Sequence, residues 1–152
     1  AKALMTLLHL RDISNKTGKE FSIVSEMLDI RDKELAEITK ADDFIISNRL
    51  VSLLMSQLTE NKNLKKVFDD LFDADGSEIY LKPVNGYLKT GIETDFNTLL
   101  ESASRKNQTA IGYRKMKFSK DPDRAYGVVV NPKKSEKITF EEGDKIIVLS
   151  EE

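Results

Sequence analysis

Cysteine is absent from this 152-residue chain, tryptophan is absent as well, and histidine occurs once. Without cysteine there are no disulfides and no thiolate metal sites, which fits a cytosolic setting. A lone histidine cannot build a zinc site and removes most nucleophile–base pairs, so the sequence does not read as an enzyme. His9, between Leu8 and Leu10, reads as a helix-surface or interface residue. No Gly-Lys-Ser or Gly-Lys-Thr follows a strand, and no G-x-G-x-x-G is present, so the chain carries neither phosphate-binding loop. The longest apolar runs reach about five residues against the ~20 that a membrane helix needs, and no signal peptide is recognisable. Charge of one sign is lacking too. The 24 basic residues are balanced by 26 acidic ones, for a net charge of −2, which leaves no electrostatic footprint for nucleic acid.

What is present is enough for one domain or two small lobes. Leu4, Leu7, Leu8 and Leu10 give Ala1 to Ile13 a helical period. No capping residue precedes this helix, which is expected if the chain is cut from a longer protein. Gly18 marks the helix exit. Phe21, Ile23 and Val24 predict a short buried strand, Asp32 to Ile38 a short helix, and Phe44 to Ile46 a second strand. From Ser47 or Asn48 a helix carries Leu50, Val51, Leu53, Leu54, Met55 and Leu58. It pauses near Asn61 to Asn63 and resumes with Leu64, Val67, Phe68 and Leu71. Strands alternating with helices predict a parallel α/β lobe. The long helix is apolar on more than one side, so it needs more than one neighbour. A homodimer through Ser47 to Phe72 would supply it.

The composition changes at Asp73-Ala74-Asp75-Gly76, placing a boundary between a first lobe, 1–72, and a second, 73–152. In the second lobe Ile79 and Leu81 alternate with polar neighbours as a strand does. A loop with a brief strand at Tyr87-Leu88 follows. Phe96, Leu99, Leu100 and Ala103 have helical spacing behind a Thr94 or Asp95 cap. Ala110 to Tyr113, Val128 to Val130, Ile138 to Phe140 and Ile146 to Leu149 predict further strands. The last begins after a tight turn at Glu142-Gly143-Asp144. The second lobe is therefore α+β, rich in strands.

Two acidic groups are candidate ligands for a hard divalent cation such as calcium, which prefers oxygen. Glu26 and Asp29 follow the first strand, where ligands of open α/β sheets bind. Asp73 and Asp75 open a loop like that of an EF-hand. That loop lacks the third Asp or Asn, and residue 84, where its closing Glu would stand, is valine. For both groups the bland alternative is solvated surface or a helix-end linker. The basic run of Arg105, Lys106, Arg114, Lys115, Lys117 and Lys120 reads as a solvated face beside Glu101, Asp121 and Asp123. An anion or lipid headgroup is its functional alternative.

Several phrases carry a family likeness. They are Phe21-Ser-Ile-Val-Ser-Glu-Met-Leu-Asp, Ala41-Asp-Asp-Phe-Ile-Ile-Ser-Asn-Arg-Leu, Ala110-Ile-Gly-Tyr-Arg, Gly127-Val-Val-Val-Asn-Pro, and Phe140-x-x-Gly143-Asp-Lys-Ile-Ile-Val-Leu. In this order they resemble the C-terminal part of an RCK (regulator of K⁺ conductance) domain. Asp69-Asp-Leu-Phe and Ser77-Glu-Ile-Tyr-Leu-Lys-Pro are similar to the Castor/Pollux group of ion channels and its bacterial relatives. The resemblance implies the end of a Rossmann-like parallel sheet with dimerising crossover helices, then a small TrkA-C-like α+β lobe. It implies a ligand-sensing gating ring on the cytoplasmic side of a membrane, joined to the pore domain of a potassium or calcium-regulated channel. The alternative is a nucleotide-binding regulatory subunit of a potassium uptake transporter. Glu26 matches the strand-end acid that holds calcium in some members, although the next acid is Asp29 where the pattern would have position 28, here leucine. NAD or another nucleotide would bind only through residues preceding Ala1.

Overall fold

The computed structural model describes residues 2–19, 24–27, 43–73 and 75–151. The helix expected at 32–38 lies outside these residues, as do Phe21 and Ile23 of the first strand. The chain divides into two compact units, Ala1–Lys65 and Lys66–Glu152.

In the first unit, α1 spans Lys2–Thr17. Gly18 ends it with a left-handed φ of 65°, and its N–H donates to the Ser14 carbonyl at 2.9 Å. A left-handed residue at this position costs glycine little and satisfies a carbonyl left over at the helix end. The Ser14 hydroxyl donates to the Lys19 carbonyl at 2.8 Å, which fixes the exit. Strands β1, Val24–Met27, and β2, Asp43–Ile46, pair in parallel, with Glu26 opposite Ile45. Parallel neighbours need a long connection between them, and in the sequence residues 28–42 separate the two strands. Two strands are the extent of the parallel sheet among the described residues. Helix α2, Ser47–Glu60, follows β2 directly and buries none of its residues.

The second unit opens on α3, Leu64–Leu71, which starts just before the unit's first residue. The rings of Phe68 and Phe72 stack at 6.2 Å. Strand β3 follows at Glu78–Pro83, then β4 at Glu93–Asp95 and α4 at Phe96–Ser104. Next come β5 at Thr109–Arg114, β6 at Val128–Val130, β7 at Lys137–Thr139 and β8 at Lys145–Ser150. An antiparallel sheet runs in the order β3-β8-β5-β6, and β4 pairs with β7. Tyr87 and Leu88 are not a strand. The chain there turns in a 3₁₀ helix at Val84–Gly86, and both residues donate back to the Val84 carbonyl at 2.9 Å. Strand β4 escaped the sequence reading because Glu93-Thr94-Asp95 has no apolar alternation.

The core explains the sequence pattern. Phe96, Leu99 and Ala103 of α4 pack on Ala110, Tyr113, Ile146 and Val148 of the sheet, with Val84, Ile138 and Phe140 completing the cluster. Tyr113 meets Phe140 edge to face at 5.4 Å, an arrangement that aromatic quadrupoles favour. Asp95 caps α4, accepting from the Thr98 N–H at 2.9 Å.

Two glycines are required by close backbone approach. A Cβ on Gly112 would lie 2.2 Å from the Val129 carbonyl oxygen, and one on Gly127 would lie 2.1 Å from that of Lys115. Gly127 also has φ 80°. The glycines of the two phrases Ala110-Ile-Gly and Gly127-Val-Val thus serve one strand pair, β5 with β6.

Candidate functional site

Glu26 is the third residue of β1, inside the strand rather than just beyond it, and it is exposed. Its suggested companion Asp29 lies outside the described residues. Asp73 and Asp75 sit between α3 and β3, both exposed. The Asp75 N–H donates to Asp73 Oδ1 at 3.2 Å, so one carboxylate oxygen serves a local turn. Among the described residues no three acidic or imidazole groups converge as a metal site would require. His9 is an exposed residue of α1.

The second unit does hold an open cleft of about 490 Å³, within the usual size range of small-ligand sites. Tyr113, Lys117, Phe118, Arg124, Lys137 and Ile138 are among its walls. Lys115, another of its walls, belongs to a buried ion pair. Lys115 Nζ lies 2.8 Å from Asp144 Oδ2 and also donates to the Thr139 carbonyl. Asp144 is 2% exposed. It further accepts from the Met116 N–H at 2.8 Å and from the Glu141 N–H at 2.9 Å. Burial alone would push its carboxyl pKa up. The hydrogen bonds from Glu141, Lys115 and Met116, with the Lys115 charge, outweigh that and hold it below the ordinary value. Gly143, with φ 89°, makes the turn that aims Asp144 inward, and Phe140 is fully buried beside it. The phrase Phe140-x-x-Gly143-Asp144 is thus one structural device, in which core anchor, left-handed turn and buried carboxylate together staple β8 to the segment after β5.

The rim of the cleft is less rigid chemistry. Lys117 pairs with Glu141 at 2.6 Å. The Arg124 guanidinium lies 4.3 Å from the Phe118 ring centroid and 3.6 Å from an Asp121 oxygen. Ala125 and Tyr126, at φ 48° and 54°, precede Gly127 in the left-handed region. A side chain there costs roughly 1–2 kcal/mol per residue. The Tyr126 N–H donates to the Asp121 carbonyl at 2.9 Å, and Arg114 Nε donates to the Tyr126 carbonyl at 3.2 Å. These bonds hold the loop in its strained form. The basic run is therefore split among separate tasks. Lys115 is buried, Lys117 lines the cleft, Arg105 pairs with Glu101 at 2.5 Å, and Lys106 lies over the Tyr87 ring. The cleft was not visible in the sequence, because its walls come from β5, β6, β7 and the loops between them. The signal nearest to it was Gly127 following Asp121-Pro122-Asp123.

The cleft contains cations, carboxylates and aromatic faces but no nucleophile activated by a base.

No protein-family model matches the sequence. Its homologues among curated proteins are ion channels. The chain is 30% identical to ion channel CASTOR of Lotus japonicus, covering 75% of this chain and 16% of that protein. It is 30% identical to a probable ion channel POLLUX of Oryza sativa subsp. japonica, covering 93% of this chain and 14% of that one. The chain thus spans about a seventh to a sixth of the length of these relatives. A solved structure, the GsuK channel, aligns over 97% of this chain and 23% of its own at 12% identity, with a TM-score of 0.37. No described helix is long and apolar enough to cross a membrane.

Proposed function

We propose that this segment is the water-side regulatory part of a cation channel of the Castor/Pollux kind, acting in a gating ring. The observation that supports it is a 30% identity to a probable ion channel sustained over 93% of the chain. On this reading β1 and β2 are the end of a Rossmann-like sheet, α2 and α3 carry subunit contacts, and the strand-rich unit is the C-terminal lobe. A ligand acts by binding one arrangement of the ring better than another, and the shift equals that difference in affinity.

Calcium is the ligand proposed, at Glu26 with Asp29 ahead of Asp73 with Asp75, because a strand holds a carboxylate more rigidly than a linker does. Calorimetric titration of calcium into the chain tests this, with Glu26→Gln beside it. Binding that weakens at least about tenfold in the variant, a loss of about 1.4 kcal/mol, supports the site. Equal affinity in both removes Glu26, and no heat in either removes calcium.

A further inference from the structure

Strand β3 is an edge of the four-stranded sheet, and β8 is its one neighbour among the described residues. An edge presents unpaired N–H and C=O groups, and the ladder shows which residues own them. The Lys115 N–H donates to the Gly127 carbonyl and the Asn131 N–H to the Ile111 carbonyl, both at 2.8 Å. Ile111, Tyr113 and Lys115 therefore turn their backbone groups toward β6. Arg114 then faces β8, where it stands opposite Lys145. Alternation along β8 turns Ile146, Val148 and Ser150 toward β3, where they meet Lys82, Tyr80 and Glu78. The Val84 N–H, donating to the Asp144 carbonyl at 3.0 Å, continues the same register. The backbone groups of Ile79 and Leu81 consequently point away from the sheet. Their side chains are 45% and 44% exposed.

We propose that this edge pairs with the same edge of a second copy of the chain, antiparallel about a two-fold axis at Tyr80. In that register Ile79 stands opposite the partner's Leu81, and the outward N–H and C=O groups of both are satisfied. Glu78 stands opposite the partner's Lys82, and Lys82 opposite the partner's Glu78, so each charge meets its opposite. Ile79 and the partner's Leu81 meet on the other face. The arrangement is closed, because a two-fold contact uses the same patch twice. Neighbouring registers lose these features. Sliding by one pleat one way sets Ile79 against the partner's Pro83, which has no N–H to donate. Sliding the other way sets Glu78 against the partner's Tyr80. Proline at the end of β3 thereby limits the edge to a single short pairing. A strand this short buries less area than a stable free-standing interface does. The contact is therefore weak in solution and strengthens where copies are held together. It is separate from the α2 surface and does not depend on the channel reading.

Amide hydrogen exchange on the whole 152-residue chain tests the pairing. As protein concentration rises from about 10 µM to 1 mM, the Ile79 and Leu81 amides should slow by about fourfold or more, while those of Tyr80 and Lys82 stay slow throughout. Charge exchange gives a second readout. Glu78→Lys alone and Lys82→Glu alone should each abolish the slowing, because like charges then face each other. The double variant, or a mixture of the two single variants, should restore it. Ile79 and Leu81 amides that exchange fast at every concentration would overturn the proposal. So would single variants that behave like the parent, or a double variant that fails to recover.

Discussion

The two units differ in how their apolar surface is closed. The second surrounds Phe96, Leu99, Phe140, Ile146 and Val148 on every side, and each is fully buried. In the first, α2 buries nothing. Leu50, Val51, Leu53 and Met55 are 46%, 58%, 56% and 60% exposed. Contiguous exposure on this scale marks an interaction surface more often than an accident of composition. The second unit closes its own core, whereas α2 leaves its apolar residues exposed.

The sharpest way to break the second unit is at its staple. Asp144→Ala leaves the Lys115 ammonium buried with one partner fewer and strands the Met116 and Glu141 N–H groups. The expected loss is about 3–5 kcal/mol in denaturant unfolding, as for a buried pair that loses one member. Acid acts on the same group. The folded carboxyl pKa lies below the ordinary 3.8, so its contribution is complete above that value and is lost as pH falls through the folded one. The stability difference between parent and Asp144→Ala should therefore be constant near neutrality and shrink below about pH 4. Asp95→Ala removes the cap of α4 and should lower the melting temperature by less than Asp144→Ala does, with Asp95→Asn recovering most of the loss. The smallest effect on the second unit is expected from Leu54→Asp with Leu58→Asp, since both lie in the other unit. Its stability should change by less than about 0.5 kcal/mol. Light scattering at low micromolar concentration, where the β3 edge contact alone dissociates, should nevertheless show the parent as a dimer and this variant as a monomer.

Legibility in the sequence follows the same division. Helix α2 was legible from Leu50, Leu54 and Leu58, and its break from Asn61 to Asn63, because local periodicity and turn chemistry decide both. The strands β3, β5, β6 and β8 were legible for the same reason. The parallel pairing of β1 with β2 was legible from the alternation of strands and helices, but strand pairing in the second unit was not. Neither the β3-β8-β5-β6 order nor the convergence of Lys115, Thr139 and Asp144 follows from residues far apart in the chain. The phrase Phe140-x-x-Gly143-Asp144 marked its own position, yet its buried carboxylate became visible only with the Met116 N–H in place. Strand β4 and the cleft were hidden by polar residues and by loops, where pattern carries little. Of the acidic candidates, spacing could show that Asp73 and Asp75 are neighbours. It could not show that one of them spends an oxygen on the other's N–H.

The central claim is that this segment regulates an ion pathway without forming it, and current recordings test it most directly. The full-length protein that carries this chain should be reconstituted in a planar bilayer, with calcium varied on the side that bears the segment. The account predicts a cation current whose open probability depends on calcium. Deleting residues 24–151, which carry Glu26, Asp29, Asp73 and Asp75, should abolish that dependence and leave the single-channel conductance unchanged. A protein that carries no current would contradict the account, as would a calcium response that survives the deletion intact.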